Sequence, residues 1–85
     1  MLSVFEVHLT EGADGSGILS EEILKETMAQ IMTVEDAAAV GFSGTLPDGS
    51  NVRLIAVSPR DARWIEQALE RAPTVVRFAK HDVPA

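Results

Sequence analysis

The sequence predicts a small α+β domain, a four-stranded antiparallel sheet with two helices on one face. Three observations carry that expectation. Residues 37 to 58, AAAVGFSGTLPDGSNVRLIAVS, read as two strands around a tight turn. Helix-start signals at Ser20 and Ser58 open two amphipathic stretches, one on each side of that hairpin. Runs that alternate with period two lie near both ends of the chain.

In chain order, residues 2–10, LSVFEVHLT, alternate. Phe5, Val7 and Leu9 fall on one face; Val4, Glu6 and His8 fall on the other, so a strand is expected. The next stretch, EGADGSG (11–17), has three glycines in seven positions and reads as a loop. Ser20 is a helix N-cap, with Glu21 and Glu22 in the first turn, where the helix dipole favours acids. Leu24, Met28 and Ile31 follow at helical spacing, flanked by Ile23, Thr27 and Met32. A helix of about three turns is expected. Thr33 to Asp36 fits a second N-cap leading into Ala37–Ala39, or a short loop; the loop is preferred, with a strand from about Ala38.

Pro47-Asp48-Gly49-Ser50 supplies turn chemistry: a preset φ, a self-capping aspartate, and a glycine for positive φ. Val52 to Val57 is the second strand of the hairpin. Ser58-Pro59-Arg60-Asp61 starts a helix, with serine as the cap and proline in the first turn. Its apolar stripe is Trp64, Ile65, Ala68, Leu69 and Ala72, and Trp64 is expected at the core or its edge. Pro73 ends it. Residues 74–80, TVVRFAK, form the last strand, with Val76 and Phe78 on one face and HDVPA as a tail.

The resulting order β-α-β-β-α-β is the ferredoxin-like, split βαβ pattern, with the first and third strands central. Residues 1–85 make a single domain, too small for two cores. Apolar content of 46% with 24% charged residues is globular, and the absence of cysteine excludes a disulfide framework, a cysteine-rich zinc site and a thiol nucleophile. No apolar run approaches the roughly 20 residues of a membrane span, and the N-terminus lacks signal-peptide features, so a cytoplasmic protein is expected. The net charge is −6; residues 1–50 hold nine acids and one base (−8), and residues 51–85 hold six bases and four acids (+2). An acidic chain is a poor nucleic-acid binder, because phosphate neutralisation dominates that affinity. The asymmetry reads as internal complementarity, or as a two-signed surface for partner contacts.

From Val40 onward, GFSGTLPDGSNVRLIAV, the proline-started helix and RAPTVVRFAKHDV resemble the hairpin, second helix and last strand of the acylphosphatase family. The resemblance covers about half the chain. It implies the same fold. That family's anion cradle ends in an arginine and is joined by an asparagine before the hairpin turn. Here the loop from Glu11 to Leu19 carries Glu11 and Asp14 with no arginine, and Thr45 precedes Leu46. The resemblance therefore supports the fold and speaks against that activity; no enzyme is expected.

Other chemistry is sparse. Residues 14–22 resemble part of an EF-hand loop, but its first ligand position falls on Gly12 and its bidentate glutamate position on Ile23. His8 and His81 are the only histidines, and they form a metal-ligand pair only if the first and last strands are neighbours. No cofactor or metal is expected, and neither a phosphate loop nor a dinucleotide fingerprint is present.

The remaining candidate is the sheet face turned away from the helices. Phe5, Val7, Leu9, Val40, Phe42, Leu54, Val76 and Phe78 are expected toward the helices. Val4, Glu6, His8, Ser43, Thr45, Arg53, Ile55, Val57, Val75, Arg77 and Ala79 are expected on the other face. An apolar centre ringed by charges is the pattern of an interface. The expected function is a non-catalytic interaction or self-association module within a regulatory assembly, a homodimer or a complex with a protein partner. Its interface residues would be Val4, Glu6, His8, Arg53, Ile55, Val57, Val75 and Arg77. The alternative is a small-ligand regulatory domain that binds through the glycine-rich loop.

Overall fold

In a computed structural model the described residues are 2–13, 17–33, 35–36 and 51–83. They form strand β1 (Leu2–Leu9), helix α1 (Glu21–Thr27), strand β2 (Gln30–Met32), strand β3 (Val52–Val57), a 3-10 turn (Pro59–Asp61) running into helix α2 (Ala62–Arg71), and strand β4 (Val75–Val83). The architecture is α+β. Four strands make one antiparallel sheet in the order β2-β3-β1-β4, so the first and third strands are central. The expected strand from Ala38 and the turn at 47–50 lie outside the described residues, as do Val40, Phe42, Ser43 and Thr45.

Both helices pack on the same side of the sheet. Phe5, Val7 and Leu9 of β1, Ile55 and Val57 of β3, Ile18, Leu19, and Ala62, Ile65 and Leu69 of α2 form one buried cluster, and Ile23, Leu24, Val75 and Phe78 pack against it. The Phe5 and Phe78 rings meet at 6.1 Å with a 60° tilt, the edge-on arrangement aromatic quadrupoles favour. In α2 the buried line runs along Ala62, Ile65 and Leu69. Trp64 falls beyond its border and is 61% exposed, so it does not anchor the core.

Helix α1 begins as expected, with the Ser20 hydroxyl accepting the Ile23 amide at 3.3 Å. It ends one turn or more early. The Thr27 hydroxyl donates to the Ile23 carbonyl at 2.6 Å and accepts the Ala29 amide at 3.3 Å, an alternative to the helical ladder. Met28 then turns left-handed (φ 56°) and is 83% exposed. Ile31, expected on the helix, instead lies in β2 opposite Ile55. The gain is backbone pairing. The outer edge of β3 at residues 54–56 would otherwise be left open, and β2 covers it. That edge is thus taken by residues 30–32. The preferred loop at 33–36 also gives way to the capped reading: Thr33 Oγ1 accepts the Asp36 amide at 3.2 Å, and Glu35 and Asp36 are helical.

At the other edge β4 runs through Val83 and does not stop at Lys80. Its register with β1 pairs Leu2 with Val83, so the expected tail supplies partners for the start of β1. A bulge between His8 and Leu9 sets Leu9 opposite Val75 and shifts the phase of β4 at its start. Val75 packs on the helix side and Val76 is 65% exposed, the reverse of the expectation.

Candidate interaction surface

The sheet face away from the helices is built by register as three rows across β3, β1 and β4. They are Val52–His8–Arg77, Leu54–Glu6–Ala79 and Ala56–Val4–His81. Side chains opposite one another in an antiparallel pair share a face, so these nine positions are neighbours. Of the eight expected interface residues, Val4, Glu6, His8 and Arg77 lie here.

The other four do not. Ile55 is opposite Phe5 and Val57 opposite Ser3, so both point toward the helices, and Ile55 is fully buried in the core. Arg53 is opposite Val7 on that same side and donates from Nη1 to the Val52 carbonyl at 3.0 Å. Val75 joins it through the bulge. Conversely, Leu54 belongs to the second face and was expected toward the helices. The run Leu54-Ile55-Ala56-Val57 is apolar at both parities, so it offers no phase; the pairing Phe5↔Ile55 supplies one. Val52, Leu54, Ala56 and His81 are the residues the expectation missed. For His81 the cause was ending β4 too soon.

The two halves of this face differ in exposure. On the β1–β3 side Val4, Val52 and Leu54 are buried within the single chain, Leu54 completely. On the β4 side Arg77, Ala79 and His81 are exposed. Between the halves sits Glu6, its side chain 17% exposed. His8 Nε2 lies 2.6 Å from Glu6 Oε2, and His81 Nε2 lies 3.8 Å from Oε1. The two histidines therefore do meet, around a carboxylate rather than side by side. Among the described residues, no group of three or more His, Cys, Asp or Glu side chains is placed so that it could hold a metal ion.

Two further features flank the face. The outer edge of β4 has no partner strand among the described residues, and its side chains from Val76 to Asp82 are exposed except Phe78. At the end of the sheet where β1 starts, a cleft of about 380 Å³ is lined by residues that include Leu2, Met28, Gln30, Val57, Ser58 and Arg60. The glycine-rich loop lies beyond the opposite end of β1; there Gly12 and Gly17 have positive φ (84° and 77°), and residues 14–16 are outside the described residues. No helix among the described residues is long and apolar enough to cross a membrane. Compared with protein-family models, with curated proteins and with solved structures, the chain finds no match.

Proposed function

We propose that the chain is a non-catalytic protein-interaction module of the ferredoxin-like βαββαβ pattern, and that it captures an extended, acidic partner segment along the outer edge of β4. What supports the pattern is the element order together with the strand order β2-β3-β1-β4. The observation that carries the docking reading is β4 itself: nine residues long, paired on one side only among the described residues, and exposed over most of its length. An unpaired edge presents a row of backbone donors and acceptors, the template for adding a strand.

Side chains select the partner. Arg77, Lys80 and His81 stand against one acid, Asp82, so an acidic strand is matched and a basic one is repelled. A second copy is a poorer occupant. The antiparallel register that pairs all nine residues of two β4 strands sets Arg77 opposite His81, Phe78 opposite Lys80 and Asp82 opposite Val76, with no acid facing a base. The test is fluorescence anisotropy with alternating Val-Glu and Val-Lys peptides. The Val-Glu peptide should bind with an affinity that falls as salt rises, and Arg77→Glu with Lys80→Glu should transfer binding to the Val-Lys peptide. Equal binding of both peptides, or of neither, overturns the proposal.

A second reading is favoured by the cleft at Leu2 and Met28. Its volume of about 380 Å³ lies at the low end of small-ligand sites, and it joins apolar walls to Ser58, Gln30, Arg60 and the two acids Glu26 and Asp61. On that reading a small regulatory ligand binds there and not at the glycine-rich loop.

A further inference from the structure

Backbone hydrogen bonds at the end of β1 fix which groups of β4 remain open. The Leu9 amide donates to the Asn51 carbonyl at 2.8 Å, toward β3, and the Thr10 amide donates to the Thr74 carbonyl at 2.9 Å, toward β4. Successive residues of a strand turn their backbone groups to opposite sides, so Val4, Glu6 and His8 also turn theirs toward β4. Their partners there are His81, Ala79 and Arg77. Directly opposed residues of an antiparallel pair either exchange hydrogen bonds or both point away. The backbones of Arg77, Ala79 and His81 therefore face β1, while Phe78, Lys80 and Asp82 turn N–H and C=O outward along the edge. The side chains divide in the same way. Phe78, Lys80 and Asp82 are opposite Val7, Phe5 and Ser3, on the helix side. There Lys80 and Asp82 cancel in charge, and Phe78 is half-buried against Phe5. Arg77, Ala79 and His81 lie on the second face, all three exposed. Ala79 is directly opposite Glu6, so this side of the edge runs guanidinium, methyl group with a carboxylate behind it, imidazole.

We propose that the strand docking on β4 carries two acids four residues apart, facing Arg77 and His81, with a non-acidic residue midway between them, facing Ala79. This rests on the edge-docking reading above and names the sequence pattern of the partner. Side chains of one face recur at every second residue, so the spacing from Arg77 to His81 is copied onto the added strand. Each acid then meets a donor: the Arg77 guanidinium, which has no ion pair among the described residues, or a ring N–H of His81. The middle position is different. A third acid there would look across the short Ala79 side chain at the Glu6 carboxylate, and like charges on one sheet face repel. The partner's intervening residues fall on the helix side, beside Phe78 and the mutually cancelling Lys80 and Asp82, where apolar side chains fit. The pattern of two acids about a neutral centre is symmetric, so it reads the same whichever way the docking strand runs.

Two labelled peptides of identical composition test this by fluorescence anisotropy: Val-Glu-Val-Thr-Val-Glu-Val, with its acids four apart, and Val-Glu-Val-Glu-Val-Thr-Val, with its acids two apart. The first should bind more tightly by about threefold, the worth of one cross-strand charge pair. Ala79→Lys, at an exposed position, makes the middle of the row basic and should abolish or reverse that preference. Lys80→Gln, on the other face, should weaken both peptides alike and leave their ratio unchanged. Circular dichroism reports whether each variant is folded, and the native protein alone already decides between the two peptides. Equal affinity for both in the native protein overturns the pattern and leaves edge docking standing; so does a folded Ala79→Lys variant that keeps the native ratio. Binding of neither peptide overturns the pattern together with the reading it rests on.

Discussion

β3 and β4 are the two neighbours of β1, and they live in different environments. Every side chain of β3 is buried or half-buried, while β4 is exposed at all but Val75 and Phe78 among its described side chains. β3 has paired strands on both sides and buried apolar side chains on both faces. β4 has a strand on one side and water along its outer edge. The lesson lies in how each strand is written. VRLIAV is apolar at both parities because both faces must be filled, whereas VVRFAKHDV admits charges wherever the sheet ends.

The sharpest way to break this comparison uses one substitution at two sites beside the same residue. Leu54 and Ala79 are both opposite Glu6, one on each side. Leu54→Arg buries a long cation at a fully enclosed site; the cost of several kcal/mol is comparable to the whole stability of a small domain, and the cooperative urea transition should be lost. Ala79→Arg, although it also sets a cation beside Glu6, should change the unfolding free energy read from the urea transition by no more than about 0.5 kcal/mol. Similar effects at both sites would remove the distinction between the two strands.

A smaller contrast removes side chains instead of adding charge. Ile55→Ala deletes a buried group in contact with the core and should cost about 2–5 kcal/mol, while Val76→Ala at the exposed bulge should cost under about 0.5 kcal/mol, both read from denaturant unfolding. Smallest of all is a gain. Met28 holds a left-handed conformation as the chain leaves α1 for β2, the strand that covers the outer edge of β3. Met28→Gly removes the Cβ clash of that conformation and loses no buried surface, because the side chain is 83% exposed. Stability should rise by about 0.5–1 kcal/mol, seen as a higher melting temperature.

The candidate site was half legible. β1 alternates with a polar residue at every second position, so Val4, Glu6 and His8 were assigned to the correct face from the sequence. In β3 nothing marks one parity as inward, and Arg53, Ile55 and Val57 were assigned to the wrong one. In β4 the alternation is real but a bulge near its start shifts Val75 and Val76 by one. The meeting of Glu6 with His8 follows from spacing two along a strand. Its meeting with His81 needs β4 to continue past Lys80, which depends on where β1 begins.

Local signals by themselves determined the α+β class, the first strand with its inward Phe5, Val7 and Leu9, the capped start at Ser20, the proline-led turn after Ser58 (whose hydroxyl makes no cap hydrogen bond), and a helix centred on Ile65 and Leu69. Each of these is set by chemistry within a few residues: a side-chain cap, a proline, a period. Tertiary structure alone decided that α1 stops at Thr27, that Gln30–Met32 becomes a strand, which face Leu54 and Ile55 take, and how far β4 runs. Those choices depend on which backbone edge stands open and which surface is already covered, and both are properties of residues distant in the chain.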